Sequence, residues 1–94
     1  MASRRAFKKD IQYLYAELLT ECFTLPVLFP QVEEAKVDAL MNKILQNCHG
    51  FVQKAGHPNG VDNPKLVKQY YKKIGEDLLK DVLDITKELE QLHQ

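Results

Sequence analysis

Residues 63–92 read NPKLVKQYYKKIGEDLLKDVLDITKELEQL, and the spacing of their apolar members decides the fold. Val67, Tyr71, Ile74, Leu78, Val82, Ile85, Leu89 and Leu92 follow one another in steps of four or three. On a helix turning about 100° per residue, such steps return to one side, so the pattern predicts an amphipathic helix with its charges opposite. Asn63 and Pro64 supply its start: a capping side chain, then a proline where an N–H has no helical partner to lose. The apolar side of such a helix must be covered by something.

The preceding residues carry two more patterns of the same kind. From Ser3, a plausible cap, the stripe Phe7, Ile11, Leu14, Tyr15, Leu18 and Cys22 predicts a first helix. Pro26 is expected to end it near Thr24, because the residue before a proline is pushed out of the helical region. The link Leu25-Pro26-Val27-Leu28-Phe29-Pro30 is too apolar for a solvated loop and is expected to plug one end of the molecule. Glu33 and Glu34 suit the positive end of a second helix, whose stripe is Val37, Leu40, Met41, Ile44, Cys48, Phe51 and Ala55. Gly50 interrupts that stripe without breaking its period, and Gly56 is placed to cap its end. His57 to Asp62 reads as a turn-rich connection. The expected helices are residues 4–24, 31–55 and 64–92. Short connections make sequential neighbours antiparallel, which gives an all-α, single-domain, up-down-up three-helix bundle, open to completion by dimerisation.

Composition agrees with one small globular domain of 94 residues, 45% hydrophobic and 28% charged. A formal net charge of zero argues against indiscriminate attraction to nucleic acid. No apolar run approaches the roughly 18 residues that span a bilayer, and Phe7-Lys8-Lys9-Asp10 stands where an export signal would be apolar. Cys22 and Cys48 read as reduced thiols of a cytoplasmic protein. With the first hairpin centred near Leu28, Cys22 falls level with Glu34, roughly 21 Å from Cys48 and beyond disulfide reach.

Catalytic chemistry has no visible foothold. The histidines are His49, His57 and His93, with neither a C-x-x-C nor an H-x-x-x-H spacing for a metal. Glu33-Glu34 and Glu76-Asp77 are sequence neighbours, without the separation of an acid/base pair held across a cleft. No glycine-rich phosphate loop or nucleophile motif occurs. The expectation is a protein that is no enzyme, with no cofactor and no metal.

Charge distribution is more informative. The expected topology gathers Arg4, Arg5, Lys8, Lys9, Lys54, Lys65, Lys68, Lys72 and Lys73 at one end, nine of the 13 basic residues. Glu17, Glu21, Glu33, Glu34, Asp38, Asp81, Asp84, Glu88 and Glu90 mark the other. Cations at the start of the third helix and anions at its end oppose its dipole, and a local rule broken consistently points toward function. One reading is self-association as a homodimer, or docking of a protein partner. It uses a second line of apolar residues, Leu79 and Leu83 on the third helix and Ala16, Leu19 and Phe23 on the first. The alternative is anion or nucleic-acid binding by Arg4, Arg5, Lys8, Lys9, Lys68, Lys72 and Lys73, with Tyr70 as the aromatic free to stack on a base.

Arg4-Arg5-Ala6-Phe7-Lys8-Lys9-Asp10-Ile11-Gln12-Tyr13, with Glu17-Leu18 and Glu21-Cys22, resembles the start of a family of small uncharacterised all-helical bacterial proteins. The likeness continues through Ala39-Leu40-Met41 to Tyr71-Lys72-Lys73. It implies a bacterial, cytoplasmic helical bundle and carries no activity, ligand or functional residue.

Overall fold

Three helices, α1 (Arg4–Leu28), α2 (Glu34–Gly56) and α3 (Pro64–Leu92), make up a computed structural model that describes residues 4–56 and 63–93. Ser3 and the 57–62 connection, His57 included, lie outside the described residues, as does the side chain of Arg4. No strand occurs among the described residues.

The long closing helix forms over the expected span. Asn63 is extended (φ −124°, ψ 103°), and its Oδ1 accepts from the amides of Lys65 (3.1 Å) and Leu66 (3.3 Å). Two of the N–H groups that every helix start leaves unpaired are thereby satisfied.

Pro26 does not end α1. The helix continues to Leu28, and the Phe29 amide donates to the Leu25 carbonyl at 2.7 Å. A proline forgoes its bond to the carbonyl four residues back and its ring crowds that carbonyl; here both costs fall in the final turn, where burial of Leu25 holds the chain in place. The extra turn leaves residues 29–33 as the connection. There the Val32 amide donates to Phe29 O (3.0 Å), Val32 is buried, and the Phe29 ring stacks on His93 with centroids 4.6 Å apart. The apolar link therefore plugs the end only with Leu25, Phe29 and Val32; Val27 and Leu28 are exposed.

Glu33 precedes α2, its carbonyl accepting from Lys36 N (3.1 Å) and Val37 N (3.2 Å), so the helix begins at Glu34 rather than residue 31. It runs through Gly50 to Gly56, which is its last helical residue rather than a cap beyond it.

Cross-contacts fix the direction and register of the three helices. Phe7 meets Tyr71, Tyr15 meets Asp81 and Phe29 meets His93, so α1 and α3 run parallel at a nearly constant offset. Tyr15 on Phe51 and Lys8 beside Gly56 make α2 antiparallel to α1, while Tyr71 to Ala55 and Lys43 to Glu88 make it antiparallel to α3. The result is the up-down-up three-helix bundle, a rod 52 Å long and 19 by 18 Å across. Contact is most extensive between α1 and α2 and least between α1 and α3.

This register centres the first hairpin near Val32, later than Leu28, because α1 is a turn longer than its proline implied. Cys22 accordingly lies about five residues from the level of Cys48, or roughly 7 Å along the axis rather than 21 Å. Both thiols are free.

Ile11, Tyr15, Leu18, Cys22 and Leu25 of α1 meet Val37, Leu40, Ile44 and Ala55 of α2 and Leu78, Ile85 and Leu89 of α3 in a single core. Ile11, Ile44 and Ile85 are fully inaccessible, one from each helix. Burying an aliphatic side chain of this size stabilises the fold by about 1.5 to 3 kcal/mol, which is what joins three helices that are marginal alone. Leu14, expected on the α1 stripe, sits at its exposed edge.

Candidate functional site

Midway along the rod, one residue from each helix joins a polar cluster at the margin of the core. The Tyr15 hydroxyl donates to Asp81 Oδ2 at 2.6 Å, and Asn47 Nδ2 donates to Asp81 Oδ1 and Oδ2 at 2.9 and 3.1 Å. Burial first, then the bond and charge of Asp81, push the Tyr15 hydroxyl far above its ordinary value and hold it neutral. Burial likewise raises the thiols of Cys22 and Cys48. A high-pKa thiol is protonated and a poor nucleophile, and the carboxylate is spent on two donors. Asp81 belongs to this cluster rather than to the exposed acidic end. Among the described residues no buried side-chain polar atom lacks a partner, and no group of three His, Cys, Asp or Glu residues could hold a metal ion. Cys48 is half-buried and its neighbour His49 exposed.

The two ends differ in how their charges are used. At the acidic end a shallow groove of about 570 Å³ lies between the start of α2 and the end of α3. Its cations are matched: Lys43 bonds Glu88 at 2.8 Å, a bond that raises the lysine's pKa, and Lys36 lies 3.6 Å from Glu33. At the basic end Lys73 reaches Asp77 only at 4.0 Å, and Lys54 lies over the Phe51 ring at 5.4 Å. Among the described residues no ion pair involves Arg5, Lys9, Lys65, Lys68 or Lys72, all of them exposed, or the half-buried Lys8. A groove of about 580 Å³ opens there between Lys54 and the α3 face of Leu66, Tyr70, Lys73 and Ile74. Tyr70, the ring expected to be free for stacking, is half-buried; its hydroxyl donates to the Lys54 carbonyl at 3.1 Å and its ring abuts Tyr71 edge-on.

The second apolar lines divide. Leu79 and Leu83 are 62% and 53% exposed on α3, and the register sets Leu14 level with Leu79. On α1, Ala16 and Phe23 are exposed, whereas Leu19 is half-buried against the core and widens it. Leu19 lies too near the core stripe to share the outer line. The outer line passes instead through Tyr13 and Val27, which are 68% and 79% exposed. Both escaped the reading of the sequence: Tyr13 because a single tyrosine gives no signal, Val27 because it follows Pro26. The step of four from Phe23 to Val27 was the available clue.

No helix among the described residues is long and apolar enough to cross a membrane. Comparison with protein-family models, with curated proteins and with solved structures finds no match. The resemblance of the opening stretch therefore stands on its quoted residues alone.

Proposed function

We propose that the chain is a small helical interaction module, without enzymatic activity, that associates with a second copy of itself in the cytoplasm. The observation that carries this reading is the coincidence of exposed apolar side chains on the outer sides of α1 and α3 with opposite charge at the two ends of one rod. Three helices bury their main stripes within the molecule, so Tyr13, Phe23, Val27, Leu79 and Leu83 are surplus to the fold. Two rods laid antiparallel set each basic end against an acidic one, and complementary charge favours that orientation over the parallel one. Twofold pairing is also the commonest form of assembly.

Sedimentation velocity over a range of protein concentrations, at 50 and 500 mM salt, tests the reading. A dimer that weakens at high salt is expected; a monomer at every concentration ends it. Arg5, Lys9, Lys65, Lys68 and Lys72, which join no ion pair among the described residues, support a second reading, binding of an extended polyanion, although the tethering of Tyr70 removes its stacking platform. Absence of binding to a single-stranded oligonucleotide at low salt disposes of that alternative.

A further inference from the structure

We infer that the face shared by α1 and α3 docks a basic amphipathic helix from a partner protein. Contact is least extensive between these two helices, and a Cβ placed at Gly75, one turn on from Tyr71, meets nothing within 4 Å, so α1 does not close over α3 there. Leu14 stands two turns on from Phe7, whose ring meets Tyr71, and therefore on the side of α1 turned toward α3. It is level with Leu79, Leu83 follows one turn later, and all three are exposed. Two parallel helices with leucines exposed along their shared face offer the position that a fourth helix fills in a bundle.

Charge names the occupant. Asp10, Leu14, Glu17 and Glu21 follow in steps of four, three and four, so these acids share the flank of Leu14, and Glu90 continues the line of Leu79 and Leu83 on α3. All four acids are exposed, and none joins an ion pair among the described residues. α1 carries no lysine or arginine after Lys9, and Lys80 and Lys87 lie beyond Leu83, on the side of α3 turned away from α1. From the level of Gly75 to Glu90, about 22 Å, the leucines are therefore bordered by acids; Lys68 and Lys72 turn the strip positive only before Gly75. A helix with lysine or arginine beside its apolar stripe matches both features, whereas an acidic helix meets like charge along the whole length. A second copy laid face to face also sets Glu17 and Glu21 against acids: against the same α1 flank when antiparallel, against the Glu90 end of α3 when parallel. The outer line of Tyr13, Phe23 and Val27 lies further round α1, so this site does not rest on the self-association proposed above.

Fluorescence anisotropy with two labelled model peptides tests the site. One is a capped helix of about 18 residues with leucine at every third or fourth position and lysine between; in the other, glutamate replaces the lysine. The full chain should bind the lysine helix at least about tenfold more tightly than the glutamate helix, with affinity falling as salt rises. Glu17→Lys combined with Glu21→Lys, and separately Leu79→Gln, should each weaken that binding about tenfold with helical circular dichroism unchanged. Glu33→Lys combined with Glu34→Lys alters the acidic end away from the strip and should change it by less than about twofold. No binding of the lysine helix at low salt, equal binding of the two peptides, or indifference to both strip variants overturns the proposal. A loss through the Glu33 and Glu34 pair as large as through Glu17 and Glu21 overturns it too. So does a parent dimer that Leu79→Gln dissolves and the lysine helix does not displace, which gives the strip to a second copy. A chain that stays monomeric yet binds the lysine helix ends self-association and upholds this site.

Discussion

At Asp81 one carboxylate receives a phenol from α1 and a carboxamide from α2, so the cost of removing it is set by the donors it leaves behind. Asp81→Ala strands a fully buried Tyr15 hydroxyl and is expected to cost about 2 to 3 kcal/mol in urea unfolding; Tyr15→Phe, which leaves Asn47 in place, should cost about 1. The raised Tyr15 pKa also has a sign. Above the ordinary tyrosine value of 10.0 the unfolded chain releases this proton while the folded chain keeps it, so stability is full below that pH and declines as pH rises beyond it. The slope is about 1.4 kcal/mol per pH unit, and alkaline unfolding should be shallower by that amount in Tyr15→Phe. The raised thiols of Cys22 and Cys48 add the same sign from about pH 9 in both proteins. Glycine tests the opposite direction. A Cβ at helical Gly50 or Gly75 meets nothing within 4 Å, so Gly50→Ala and Gly75→Ala should each raise stability by about 0.5 to 1 kcal/mol. None of the Asp81 cluster was legible beforehand: its members are 34 and 66 positions apart, and Asp81 reads locally as one more charge on a helix face.

Among the elements, α3 was the most legible because both its start and its stripe are local signals. Its cap is expected to contribute about 1 kcal/mol, so Asn63→Ala should lower the melting temperature by several degrees. Directly beside it, Lys65 sets a positive charge in the first turn, against the dipole. Lys65→Glu should therefore stabilise the fold by about 0.3 to 1 kcal/mol at low salt, an effect that added salt erases. If the basic end exists for binding, this more stable variant should bind its partner less well; equal binding with higher stability would leave the lysine without a role. In α1 the stripe was read correctly apart from the exposed Leu14, but its end was not, because a proline's bias on the preceding residue is a preference that buried Leu25 overrides. That single turn shifted the hairpin centre, and with it the level of Cys22 and the length of the outer line.

For the whole molecule, topology turns a sequence of zero net charge into a rod with two unlike ends, which no local window of the sequence displays. The ends were legible once the up-down-up order was inferred; which apolar side chains stay outside was not, because that depends on what the core covers. Exchanging the ends' charges isolates their contribution. A chain carrying Arg5→Glu and Lys9→Glu exchanges cations for acids at the basic end, and one carrying Glu34→Lys and Glu90→Lys gains cations at the acidic end; all four positions are exposed. Each variant alone places like charges together in an antiparallel pair and should dimerise more weakly than the parent. Mixed in equal amounts, they restore unlike charge at both contacts, so a heterodimer should form at concentrations where each variant alone sediments as a monomer. Salt of about 0.5 M should narrow the difference, since screening acts within a few ångströms at that strength. Homodimers of both variants as tight as the parent would remove the charged ends from the proposed pairing.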